Sequence, residues 1–95
     1  MIERLDDAAI EAGLARIPGW SRSGNEIRKE FVRASFADAI AFVVRIGFLA
    51  EAADHHPDLD VRFHRVVVAL ATHAAGGLTT RDFELAERID EVAGT

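Results

Sequence analysis

The sequence contains no cysteine, which removes disulfides, thiolate nucleophiles and the usual zinc-ribbon spacings together. It also lacks a stripe of positive charge. Its 11 Lys and Arg are dispersed and outnumbered by 16 Asp and Glu, giving a net charge of −5. Nothing supplies the basic surface that phosphate-backbone binding needs, so direct nucleic-acid binding is not expected. Long apolar runs are missing too: the longest, from Ala37 to Ala53, is interrupted by Asp38, Arg45 and Glu51 and does not read as a membrane span. The opening Met1-Ile-Glu-Arg-Leu-Asp-Asp has no basic segment leading into an apolar one, and no secretory signal is expected. Gly and Pro are not enriched. With 49% hydrophobic and 28% charged residues, the composition excludes disorder and low complexity. The expectation is a soluble, cytoplasmic protein of one domain, residues 1–95, small enough for self-association to contribute to its stability.

What is present is a regular alternation of helix and strand signals. Ile10, Leu14 and Ile17, following Asp6-Asp7, predict a first helix from about Asp7 to Ile17, stopped by Pro18-Gly19. Gly24-Asn25 suits a tight hairpin turn after Trp20 to Ser23. Beyond it Ile27 and Phe31 face one side and Glu26, Arg28 and Glu30 the other, with only Lys29 breaking the alternation of a half-buried strand. Ser35-Phe-Ala-Asp38 resembles a capping box and opens a long second helix to about His55, which Pro57 ends. That helix is apolar around most of its circumference and needs two packing partners, the sheet on one side and a second copy of the protein on the other. A homo-oligomer is therefore expected. Leu59, Val61 and Phe63, then Val66, Val68 and Leu70, predict a second hairpin that reverses near His64-Arg65. Ala74-Ala-Gly-Gly77 is a turn, and Thr79-Thr-Arg-Asp82 is a capping box for a last helix through Phe83, Leu85, Ala86 and Ile89. Helix, hairpin, helix, hairpin, helix with short connections predicts an α+β fold: a four-stranded antiparallel sheet with helices packed on one face.

Chemistry concentrates in Glu51-Ala-Ala-Asp-His-His-Pro57, with His73 following at the end of an apolar run. Glu51 and His55 are four apart and can interact across one helical turn, while Asp54 and His56 fan out where the helix ends. An imidazole exchanges protons near neutral pH, and a neighbouring carboxylate can fix its tautomer and raise its basicity. The plainer alternative for His55-His56 is a polar finish to a helix, favourable at the negative end of its dipole. A metal site competes as well, but adjacent histidines diverge and no two stand at the one-turn spacing of a zincin helix, so no metal is expected. His64 lies on a polar strand face and reads as solvated. Ser21, Ser23 and Ser35 sit in hairpin or capping contexts, Gly76-Gly77 lacks a phosphate-loop context, and capping suffices to explain Thr79 and Asp82.

Glu51-Ala-Ala-Asp-His-His-Pro57, Phe63, Thr72-His73, Gly76-Gly-Leu-Thr79 and Asp82, joined by Gly19-Trp20 and Phe31, resemble the pterin-4a-carbinolamine dehydratase family over nearly the whole chain. The resemblance implies the same helix and hairpin order, a homodimer or homotetramer, and dehydration of a 4a-hydroxytetrahydropterin, such as 4a-hydroxytetrahydrobiopterin, to the quinonoid dihydropterin without metal or redox cofactor. It implies catalytic roles for His55, His56 and His73. One of His55 and His73 would remove the ring proton, and His56 or a bound water would protonate the departing hydroxyl. Substrate-binding or orienting positions correspond to Glu51, Asp54, Pro57, Thr72 and Ala74. The chain departs from the family pattern at Leu59, where an aromatic or β-branched residue is common, at Phe63-His64, often Tyr-Asn, and at Ala74, often an acid. The rival reading is a non-catalytic dimerisation or assembly cofactor that binds a protein partner on the same fold. Retention of all three histidines favours the enzyme.

Overall fold

In a computed structural model, residues 2–94 are described; Met1 and Thr95, the ends of the expected domain, lie outside the described residues. The first helix, α1, spans Asp7–Ala15 and begins at Asp6, whose carboxylate accepts from the Ala9 amide at 2.8 Å. It stops short of Ile17, because the Arg16 amide turns back to Gly13 and the chain must meet Pro18 extended. Two strands follow: β1, Ser21–Ser23, and β2, Glu26–Val32, joined by Gly24-Asn25 with Gly24 at φ 60°. The helix α2 covers Phe36–Ala53. Ser35 caps it by accepting the Asp38 amide at 3.0 Å, but the Asp38 carboxylate accepts from the Ala34 amide at 3.0 Å, one residue earlier than in a closed capping box. Strands β3, Asp58–Arg62, and β4, Arg65–Leu70, form the second hairpin. After a 3₁₀ turn at His73–Ala75, the helix α3 runs over Thr80–Ala93 behind the complete Thr79/Asp82 capping box.

The second hairpin reverses at Phe63-His64, not His64-Arg65. Arg62 pairs with Arg65, which leaves two residues for the turn, and Phe63 takes φ 52° there. Phe63 is accordingly 69% exposed rather than on the apolar face with Leu59 and Val61. Cross-strand register decided this, since the alternation alone runs on through Phe63.

All strand pairs are antiparallel, in the order β1-β2-β4-β3. The inner face contributes Ile27, Phe31, Val66, Val68 and Leu70, which pack with Phe42 and Ile46 of α2, Phe83, Leu85, Ala86 and Ile89 of α3, and Ile10 of α1 in one buried cluster. Lys29, the apparent break in β2, lays its stem along this face. Its Nζ donates to Asp90 at 2.8 Å and to the Pro18 carbonyl at 3.3 Å, so the charge ends at the rim. Trp20 Nε1 donates to the same Asp90 at 3.0 Å, tying the end of the α1 loop to α3. The outer face reads Arg28, Ala69 and Asp58 in one cross-strand row and Glu30, Val67 and Asp60 in the next.

Helix α2 is divided along its length. Ala39, Phe42, Ile46 and Ala50 are buried, while Phe36, Ile40, Val44 and Phe48, each one turn apart, are 53%, 40%, 52% and 74% exposed. Among the described residues no helix is long and apolar enough to cross a membrane.

Candidate active site

Helix α2 does not continue to His55. Asp54 takes a left-handed conformation, φ 49° and ψ 45°, its amide donates to the Glu51 carbonyl at 3.3 Å, and the His55 amide donates to the Ala50 carbonyl at 3.0 Å. That pair of reversed bonds is a Schellman ending, made here with aspartate where glycine is usual. Pro57 keeps His56 out of helical geometry, but the helix has already been closed three residues earlier. The reversal also changes the pairing of the acids. His55 does not meet Glu51; it turns inward, 8% exposed, and its Nε2 lies 2.5 Å from Asp82 Oδ1. Glu51 pairs instead with the outward-facing His56, Oε2 to Nε2 at 2.5 Å, on the exposed side. The two adjacent imidazoles therefore work in different environments.

Asp82 is fully buried and is the centre of the inner network. Its Oδ2 accepts from the Thr79 amide at 2.9 Å and from the Thr72 hydroxyl at 2.9 Å, and Thr72 and Thr79 share a hydroxyl contact of 2.8 Å. Since the Thr72 proton is committed to the carboxylate, Thr79 donates to Thr72, and every proton in the chain points toward Asp82. An ionised carboxylate only accepts, so a neutral His55 donates through Nε2 and keeps its lone pair on Nδ1. The network thus fixes one tautomer of a buried imidazole. It joins the end of α2 to two segments further along the chain, the stretch after β4 and the first turn of α3.

His73 follows Thr72 directly and opens the 3₁₀ turn, exposed, with Gly76 at φ 73° closing it. It lines a hollow of about 220 Å³ with Ser23, Asn25, Glu26, Ala71 and the two glycines. His55 borders a separate hollow of about 190 Å³ with Ala52, Ala53, Arg81, Glu84, Leu85 and Arg88. So Thr72, through Asp82, connects the chain at His73 to His55, while His56 stands apart with Glu51. Asp54 supplies the turn, Pro57 follows it half-buried, and Ala74 is exposed beside His73. Among the described residues no three His, Asp or Glu side chains are grouped as a metal site.

Sequence reasoning gave Asp82 a capping role only. The box uses one carboxylate oxygen, and the other goes to His55, 27 residues away. An acid that closes a capping box keeps a second oxygen for a distant partner, which is the one signal the sequence offered.

An α+β domain with a carboxylate-held imidazole at the junction of two helices and a strand end is the class these observations define. The model of the family described as pterin 4 alpha carbinolamine dehydratase matches residues 3–92. A Roseiflexus sp. (strain RS-1) protein bearing the name "Putative pterin-4-alpha-carbinolamine dehydratase" is 59% identical over 92 residues, 97% of this chain and 99% of the relative. The crystal structure of a transcriptional coactivator/pterin dehydratase from Brucella melitensis superposes with a TM-score of 0.93 at 31% identity, covering 97% of this chain and 100% of that one. A pterin dehydratase-like protein identified as a RuBisCO assembly factor in the alpha-carboxysome shares the fold, with a TM-score of 0.66 at 23% identity over 80% of this chain and 88% of its own. The chain belongs to the pterin-4a-carbinolamine dehydratase family.

Proposed function

We propose that this chain dehydrates a 4a-hydroxytetrahydropterin to the quinonoid dihydropterin by histidine acid–base catalysis, recycling pterin in the cytoplasm. The observation that carries the reading is the network of Thr79, Thr72, Asp82 and His55, which presents one imidazole in a set tautomer within a chain that the family model matches over residues 3–92. In the reaction the N5–H bond breaks and its electron pair becomes the N5=C4a double bond. The C4a–O bond breaks with its pair on oxygen, and the hydroxyl leaves as water after gaining a proton. No electrons are exchanged with a second reactant, so the balance calls for a base and an acid and no redox partner.

His55, through Nδ1, or His73 takes the ring proton. His56, or a water beside it, supplies the proton to the hydroxyl and is reprotonated from solvent, while Glu51 orients the His56 ring through their contact at 2.5 Å. Asp54 shapes the turn that separates the two imidazoles, and Pro57 holds its far side. Thr72 and Ala74 flank His73 as pterin-contacting positions, Ala74 offering no charge where an acid would.

A second reading rests on the exposed row Phe36, Ile40, Val44 and Phe48 of α2, which is a surface for another protein. In the enzyme reading that partner is another copy of the chain, as a dimer or tetramer. In the rival reading it is a different protein, in keeping with the coactivator role printed for the Brucella melitensis relative. The deciding experiment follows the decay of freshly generated 4a-hydroxytetrahydropterin by ultraviolet absorbance. Wild type should accelerate it, and folded His55→Ala and His73→Ala variants should lose about 10²-fold or more of that acceleration. A well-folded wild type that leaves the spontaneous rate unchanged would overturn the enzyme in favour of the binding module.

A further inference from the structure

The first turn of α3 grips the histidine segment twice. Asp82 holds the His55 ring, and the preceding residue, Arg81, holds the backbone that leads to it. Both hydrogens of Arg81 Nη2 are engaged: Nη2 donates to the Ala53 carbonyl at 2.8 Å and to the Asp54 carbonyl at 2.6 Å. These are carbonyls at the end of α2 that the helix itself leaves without partners. The Asp54 carbonyl belongs to the peptide unit whose amide is that of His55, and that amide already donates to the Ala50 carbonyl at 3.0 Å. The peptide plane between Asp54 and His55 is thus pinned at both ends.

That plane sets which way the imidazoles face. Asp54 is a non-glycine residue at φ 49°, a conformation that a side chain disfavours and that surrounding contacts must maintain. If the Asp54 carbonyl were released, rotation of the peptide unit would swing the Cα–Cβ bond of His55 away from Asp82 and reorient His56 relative to Glu51. From this geometry we infer that Arg81 is a positioning residue for the histidine pair: its guanidinium maintains the left-handed turn at Asp54 and, through it, the His55–Asp82 contact. Its role differs from that of Asp82, because its hydrogen bonds go to backbone carbonyls and not to an imidazole.

The catalytic consequence rests on the dehydratase reading; the conformational one does not, and the test separates them. Arg81→Met keeps the apolar stem and removes the donors, while Arg81→Lys restores donors that can reach the same carbonyls. Side-chain ¹H–¹⁵N correlation spectra of ¹⁵N-histidine-labelled protein read the tautomer and hydrogen bonding of His55 directly. In folded Arg81→Met the Nε2–H signal of His55 should shift or broaden, with partial return in Arg81→Lys, whereas a merely stabilising arginine would leave it where it is in wild type. If wild type is a dehydratase, kcat in Arg81→Met should fall about tenfold to a hundredfold with little change in KM. Unchanged histidine spectra in folded Arg81→Met overturn the inference whatever the activity. An inactive wild type with shifted spectra overturns only the reaction. Should Arg81→Met not fold, Arg81→Leu, which likewise has an apolar side chain and no donor, is held to the same spectral outcomes.

Discussion

Replacing Asp82 with asparagine is the sharpest perturbation of the inner network, because the shape is kept and only the proton pattern changes. Asp82 has no exposed surface and accepts three hydrogen bonds, from His55, Thr72 and the Thr79 amide. The asparagine amide oxygen must face Thr79 and Thr72, since both donate there, which leaves the NH₂ group facing His55 Nε2. Two donors cannot meet, so His55 must adopt the other tautomer, with its lone pair on Nε2 and its proton on Nδ1. In the proposed mechanism, the lone pair of His55 that would act as base is then turned away from the position it holds in wild type. A rate loss of about 10²–10⁴ in kcat is expected, of the order seen when the carboxylate that orients a catalytic histidine is neutralised elsewhere. Exchanging charged for neutral hydrogen bonds should also cost about 1–3 kcal/mol of stability, and each kcal/mol lowers Tm by about 4–8 °C in a domain of this size. The assay is the decay of 4a-hydroxytetrahydropterin, paired with thermal melts. An Asp82→Asn protein that retained wild-type kcat would refute the reasoning, as would a loss confined to KM.

Other perturbations test the packing and the surface. Gly13→Ala should destabilise the domain by about 1–3 kcal/mol, because a Cβ there would come within 2.6 Å of the Phe83 ring; urea unfolding monitored at Trp20 would show it, and an unchanged midpoint would count against the α1–α3 packing. Phe48→Asp places a charge on the most exposed side chain of the α2 row, at its C-terminal end, and should convert an oligomer to monomers by light scattering, with thermal stability of the monomer fold preserved. A wild-type chain already monomeric at high concentration would remove self-association as the purpose of that row. The Asp38 carboxyl is held below its ordinary value of 3.8, first by the Ala34 amide and then by Arg33. Its folded-state value is depressed, so the stabilisation is complete above 3.8 and is lost as the pH falls from there through the lowered value. The gap in Tm between wild type and Asp38→Asn should hold steady from neutral pH and close only in strong acid; a gap that closed near neutrality would contradict the assignment.

Much of the fold was legible because its signals are local. The four-residue spacing of α1, the alternation of β2 and β4, the Gly24-Asn25 turn and the Thr79/Asp82 capping box each lie within a few residues of sequence, and each formed where expected, apart from the end of α1, which closes at Ala15. Boundaries were less visible. Helix α2 ended before His55 because of a left-handed Asp54, a conformation that glycine would have announced and aspartate did not. Phe63 kept the apolar alternation of β3 yet fell in the turn, since the register with β4 left it no strand partner.

The sequence by itself determined the composition of the site: which imidazoles exist, that an acid accompanies them, and that two apolar faces of α2 need cover. Tertiary structure decided the pairing. His55 passed over Glu51, one turn away, for Asp82, 27 residues on, and Glu51 went to His56. Spacing along a helix specifies neighbours only while the helix lasts. Past the reversal at Asp54, the direction of each side chain depends on contacts such as those of Arg81 with two backbone carbonyls, and no local pattern in the sequence encodes a bond between a side chain and a distant peptide group.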